Sequence, residues 1–85
     1  MVMAGVIVDV RAEIGEAAVL WPGACISHDA HIGANTFVSP NATVCGFARI
    51  GAHSFIGAGA AVVDRGLVPE GCTIKMLTRW TQKAP

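Results

Sequence analysis

From Val8 onward, every sixth residue of this chain is a branched aliphatic: Val8, Ile14, Leu20, Ile26, Ile32, Val38, Val44, Ile50, Ile56, Val62, Val68 and Ile74. The series has no break. Two positions ahead of each lies a second series, Val6, Ala12, Ala18, Ala24, Ala30, Thr36, Ala42, Ala48, Ser54, Ala60, Gly66 and Cys72, nearly all small. A helix repeats every 3.6 residues and a strand every two, so neither alone produces a period of six. A solenoid does, because each six-residue unit is a short strand plus a turn stacked on its neighbours. Alternation along the strand then turns both series inward, the aliphatic beside the small residue.

A second period shows how the hexads close. The segments "WPGA", "SPNA" and "GAGA" recur at 18-residue spacing, and Gly5, Gly23, Asn41 and Gly59 share one column. Gly and Asn tolerate positive φ, and Pro22 and Pro40 directly precede this column, which is the signature of a type II turn. Gly15, Gly33 and Gly51 form another column. Three hexads per coil make a triangular prism. Residues 5–76 supply about four coils, roughly 20 Å tall at the inter-strand spacing of a sheet. The 85 residues form one domain, with regular hexads over 5–76 and a short cap or tail over 77–85, beyond the point where Pro69 replaces the column glycine. Parallel crossovers are normally right-handed, and the spacing does not overrule that.

Composition excludes several functions. The formal net charge is zero and 14% of residues are charged, which argues against nucleic-acid binding. No apolar run approaches the roughly 18 residues of a membrane span. The opening segment lacks the basic start and long apolar stretch of a signal peptide. Three cysteines, Cys25, Cys45 and Cys72, without CxxC spacing, fit reduced thiols in a cytoplasm. A chain this short buries a limited core, so stability often needs help from metals, disulfides or partner subunits.

The polar residues with chemical potential cluster in "CISHDAHIG", residues 25–33. His28 falls at a turn, in the column Val10, His28, Gly46, Asp64, and projects from the prism. On residue chemistry alone, His28 and Asp29 are better explained as solvent-facing turn residues, Asp29 forming an Asx turn. His31 belongs to the outward column Glu13, His31, Arg49, Leu67, read as a solvated or inter-subunit strip. His53 shares a turn column with Ala17, Asn35 and Gly71. A catalytic zinc needs three protein ligands, and His28 and His31 point to opposite sides of a strand, so no metal is expected. Phe37 and Phe55 stack outward at 18-residue spacing, with Val19 before them, and fit a subunit contact.

Repeats of the form aliphatic–Gly–x–x–small–x resemble the hexapeptide-repeat acyltransferases. Within that family, "ISHDAHIGANTFVSPNATVCGFARIGAHSFIGAGAAVVD" is similar to the sugar O- and N-acetyltransferases of the sialic-acid and bacillosamine type, over about residues 14–65. The resemblance implies an all-β, left-handed parallel β-helix that forms a homotrimer. It implies acetyl-CoA as acyl donor and a hydroxyl or amine of a small acceptor, sugars included, as the target. In that resemblance His28 is the general base, a task suited to an imidazole whose pKa lies near the working pH. Asp29 orients the ring. The backbone N–H of Gly46 faces the thioester carbonyl of the coenzyme, where a fixed donor stabilises developing charge and a missing Cβ permits approach. The backbone at Ala58 contacts the pantetheine arm in a groove between subunits. Ser27 stands where the family often has Asn, and Phe37 where many relatives have a second His. The alternative is a non-catalytic trimeric β-helix module that binds a ligand or protein.

Overall fold

The structure, a computed structural model, describes residues 1–83. It contains thirteen two-residue strands six positions apart, β1 (Ile7–Val8) to β13 (Arg79–Trp80). They sort by threes into three parallel sheets. The first holds β1, β4 (Cys25–Ile26), β7 (Thr43–Val44), β10 (Ala61–Val62) and β13. The second holds β2 (Glu13–Ile14), β5 (His31–Ile32), β8 (Arg49–Ile50) and β11 (Leu67–Val68). The third holds β3 (Val19–Leu20), β6 (Phe37–Val38), β9 (Phe55–Ile56) and β12 (Thr73–Ile74). The register between neighbours is 18 throughout, for example Ile26↔Val44 and Ile32↔Ile50. This is the expected triangular coil of three hexads.

The chain is a left-handed parallel β-helix. The usual right-handed preference of parallel crossovers arises from strand twist. Strands of two residues accumulate almost no twist, so that preference has little hold here.

What turns the chain at each corner is a residue with left-handed backbone. Among the described residues thirteen such residues occur, every sixth one from Gly5 to Leu77, and nine of them are not glycine. The sequence marks this requirement only at the Gly5–Gly23–Asn41–Gly59 corner. The other two corners carry it on Arg11, Asp29, Phe47 and Arg65, and on Ala17, Asn35, His53 and Gly71, all with φ between 57° and 71°. A single left-handed L-residue costs about 1–2 kcal/mol. The backbone offsets this with hydrogen bonds, two of them at most turns of the first two corners beyond the first coil. In the turn Ser27–Ala30, Ala30 N–H donates to Ser27 at 3.3 Å, while Asp29 N–H donates to Val10, one coil away, at 3.1 Å.

The core is the two inward series. Leu20, Ile26, Val38, Val44, Ile56, Val62, Val68 and Ile74 are fully buried, as are Ala18, Ala24, Ala30, Ala42, Ala48 and Ala60. The two hydroxyl-bearing members of the small series are satisfied: Thr36 Oγ1 donates to Gly51 O at 3.1 Å, and Ser54 Oγ to Gly51 O at 2.7 Å. Val8 departs from the pattern. It is 40% exposed because β1 is the end strand of its sheet. At the other end the regular repeat runs past residue 76. Trp80 in β13 takes the column of Val62, packs against the core and donates its indole N–H to Leu67 O at 2.9 Å. Residues 79–83 thus form the cap, ending in an antiparallel bridge between Lys83 and Gly66. Pro85 and its neighbour at 84 lie outside the described residues.

The Gly15–Gly33–Gly51 column has a different basis from the left-handed glycines. A Cβ on Gly33 would sit 2.4 Å from Ala52 N, in backbone that has nowhere to move without parting two coils. Gly71 is the converse case: nothing lies within 4 Å of its Cβ position, but its φ is +71°. Gly33→Ala should therefore cost about 2–3 kcal/mol, and Gly71→Ala about 1–2 kcal/mol. Urea denaturation midpoints of the two variants check the order.

Candidate functional site

The corner between the first and second sheets is built from four stacked turns. Their third positions are Arg11, Asp29, Phe47 and Arg65, and their second positions are Val10, His28, Gly46 and Asp64. Coil-to-coil bonds fix the stack: Phe47 N–H donates to His28 O at 3.1 Å, and Arg65 N–H to Gly46 O at 2.8 Å. Position in the turn thus places His28 on the outer corner, with its side chain 47% exposed.

Three of the residues singled out in the sequence meet here. His28 Nδ1 lies 3.3 Å from Asp29 Oδ2. With Nδ1–H donating to the carboxylate, Nε2 keeps its lone pair. The ring lies over Gly46, which is buried: a Cβ there would stand 2.8 Å from His28 Cε1 and 2.9 Å from Nε2. Among the described residues, the Gly46 N–H has no backbone or side-chain acceptor. Ala58 is elsewhere. It follows β9 at the corner between the third and first sheets, where its carbonyl accepts from Leu77 N–H at 2.9 Å. One chain therefore does not bring Ala58 to His28. Nor does a single chain enclose a pocket among the described residues.

The surroundings of the His28–Asp29 pair include groups that the sequence reading did not assign. Arg11, one coil before Asp29, grips it with Nε at 2.8 Å from Oδ1 and Nη2 at 3.2 Å from Oδ2. That hydrogen bond is the main reason the Asp29 carboxyl sits below the usual carboxylate range; desolvation opposes the shift, and the hydrogen bond with His28 assists it. Phe47 meets the His28 ring edge-on at 5.3 Å, and the Arg65 guanidinium lies 4.6 Å over the Phe47 ring. Asp64 Oδ1 would stand 3.2 Å from a Gly46 Cβ, and its carboxylate is 3.6 Å from Arg65. The signal for Arg11, Phe47 and Arg65 was available in the 18-residue column of Asp29.

The remaining candidates fall where their columns put them. His31 Nε2 pairs with Glu13 Oε2 at 3.0 Å, next to Arg49 in register. His53 occupies an exposed left-handed turn position. Phe37 and Phe55 stack nearly parallel at 5.1 Å, and Trp21 tilts against Phe37 at 5.7 Å. All three cysteines are free and half-buried; burial, more than Asp64 or Cys25, pushes the Cys45 thiol up. Among the described residues no group of three or more His, Cys, Asp or Glu side chains could hold a metal ion, and no helix is long and apolar enough to cross a membrane.

Comparison with known proteins gives the same architecture. A family profile described as bacterial transferase hexapeptide (six repeats) matches residues 11–46 and 29–64. The acetyltransferase domain of PglB from Neisseria gonorrhoeae FA1090 superposes with a TM-score of 0.78 at 24% identity, covering 100% of this chain and 50% of that one. The same domain in complex with acetyl coenzyme A superposes equally well over 99% of this chain. WeeI from Acinetobacter baumannii AYE gives a TM-score of 0.75 at 23% identity, over 96% of this chain and 50% of that one. The chain thus spans half the length of these structures. No curated protein sequence matches significantly.

The Arg11–Asp29 pair makes stability pH-dependent with a defined sign. The folded carboxyl holds its proton less tightly than the unfolded one, so the contribution is complete above about pH 4 and is lost as pH falls through the lower folded value. Asp29→Asn should slightly lower the denaturation midpoint at neutral pH, and its difference from the unsubstituted chain should shrink as pH falls below about 4. Denaturant titrations across that range read the effect.

Proposed function

The chain belongs to the bacterial transferase hexapeptide family, and from that premise we propose that it is an acetyl-CoA-dependent acyltransferase acting on a hydroxyl or amine of a small acceptor, sugars included. The observation that carries this reading is the His28 ring, held at Nδ1 by Asp29 with its Nε2 edge over the Cβ-less Gly46. The residues suit the group: a side chain at Gly46 would run into the His28 imidazole and the Asp64 carboxylate, so glycine is what lets the base lie over this backbone. Acetyl-CoA would supply a thioester acyl group there.

In this reading His28 Nε2 takes the proton from the acceptor O–H or N–H as that atom attacks the thioester carbon. Asp29 stays ionised and balances the imidazolium, keeping Nδ1–H in place. Gly46 N–H donates to the carbonyl oxygen as it gains negative charge. The proton held on Nε2 then passes to the departing thiol sulfur, which leaves His28 neutral for the next cycle. Ala58 serves the pantetheine arm from the neighbouring copy, because its corner and that of His28 belong to different edges of the first sheet. A homotrimer supplies that neighbour. The stack of half-buried Phe37 on exposed Phe55 supports a contact between copies, and the three free cysteines suit a reducing cytoplasm.

One observation favours the non-catalytic trimeric module instead. Asp64 Oδ1 lies close to Gly46, where a carboxylate repels a developing oxyanion unless Arg65 neutralises it. Calorimetric titration with acetyl-CoA separates the two readings. The acyltransferase binds about one coenzyme per subunit with micromolar to sub-millimolar Kd, and His28→Ala lowers kcat about a hundred- to ten-thousandfold while leaving that binding intact. Absence of binding at millimolar acetyl-CoA sinks the enzyme reading. Gly46→Ala should also lower kcat, since the new methyl group displaces the imidazole.

A further inference from the structure

We propose that Arg11 is a positioning residue for this reaction, acting through Asp29 to hold His28 in the tautomer that leaves Nε2 free; the assignment rests on His28 being the base. The geometry is a fork. Arg11 Nε and Nη2 reach the two different oxygens of Asp29, at 2.8 Å and 3.2 Å, so the plane of the carboxylate is set and not only its position. Asp29 Oδ2 then accepts twice, from Arg11 Nη2 at 3.2 Å and from His28 Nδ1 at 3.3 Å.

An aspartate in a turn has another option. Asp9, at the first position of the neighbouring turn, folds its Oδ1 back onto the adjacent Val10 amide at 2.7 Å. Asp29 does not spend its oxygens on local backbone. Arg11 draws them along the corner, and the imidazole follows. The Asp29 side chain is 19% exposed although that of Arg11 is 69% exposed, so the guanidinium covers the carboxylate from the solvent side. An ordinary exposed ion pair of this kind contributes little to stability, so its consequence here is orientation. An aspartate is already ionised across the range in which a histidine base works, and the Arg11 hydrogen bond, the largest cause of the lowered Asp29 carboxyl, acts in the same direction.

The two-coil origin matters. Asp29 is fixed to its own turn at a left-handed position with φ 58°, and Arg11 is fixed to the previous turn at φ 59°. Neither backbone can shift without parting coils that share the Asp29 N–H to Val10 O bond. The orientation of the base is thereby tied to the stacking of the prism.

The test reads the tautomer directly. In protein labelled with ¹⁵N-histidine, the His28 ring signals are assigned by their loss in His28→Gln. They are compared at about pH 9, above the ordinary imidazole range, in the unsubstituted chain, Arg11→Gln, Arg11→Lys and Asp29→Asn. The unsubstituted chain should show an Nδ1–H ring. Arg11→Gln should move the two nitrogen signals toward each other as the tautomers mix, in the direction of Asp29→Asn. Arg11→Lys should fall between, because an ammonium keeps the charge and loses the fork. Where acetyl transfer is measurable, Arg11→Gln should lower kcat about tenfold with KM for acetyl-CoA unchanged. Identical ring signals in Arg11→Gln and the unsubstituted chain, with Asp29→Asn shifted, overturn the proposal. The ring signals need no acceptor or donor, so they separate this inference from failure of the acyltransferase reading.

Discussion

Everything in this molecule depends on one backbone state repeated at one interval: a residue with φ near +60° in every sixth position. That residue lets a two-residue strand end, turn and restart on the next face. From the second coil onward it also aims its own N–H along the prism axis to the carbonyl of the preceding coil, as Asp29 does to Val10. Nine of the thirteen positions carry side chains, at a cost of about 1–2 kcal/mol each. The ladder of inter-coil bonds and the aliphatic core hold them there. The cost is spread so evenly that no single turn stands out as strained, including the one at Asp29.

The same regularity makes a site from residues far apart in the chain. Stacking at 18-residue spacing converts sequence distance into side-chain contact, so that Arg11 grips Asp29 and His28 overlies Gly46. Turn position then assigns exposure. The second position of each turn points outward and can present an imidazole; the strand positions alternate between the core and the outer faces. The corner is consequently rich in charge, with Arg11 against Asp29 and Arg65 against Asp64, while the body of each sheet is aliphatic inside.

The fold was largely legible because its signal is arithmetic. The Val8-to-Ile74 series fixed strand positions, the Gly5 and Gly15 columns fixed the coil length, and the structure has the same register. The left-handed state at Phe47, Arg65 or Ala17 was not legible. Those residue types carry no propensity for it, and only the cooperative backbone ladder imposes it. Trp80 was missed as a strand residue because an indole replaces the aliphatic that the period had led one to expect. At the site, His28, Asp29 and Gly46 share columns that adjoin, so their meeting followed from spacing. Arg11 also followed from the column of Asp29, yet an exposed arginine in an open-ended first coil looks like solvated surface until its fork is seen. The separation of Ala58 from His28 likewise needed the third dimension, because the columns say which residues stack but not which edges of the prism two columns occupy.

Because the corner draws on four coils, its chemistry is tied to chain length in whole units. Gaining one residue between Asp29 and Gly46 would turn every later aliphatic outward. Gaining six would keep the core intact and yet rotate all later residues by a third of a turn, carrying Gly46 to a corner where no histidine waits. Only eighteen preserves the column, and it then pushes the partners apart by a full tier, about 4.8 Å. Between Arg11 and Arg65 the chain can exchange residues freely at many surface positions but can scarcely change its count, as a screw may be plated in any metal while its pitch must still match the nut.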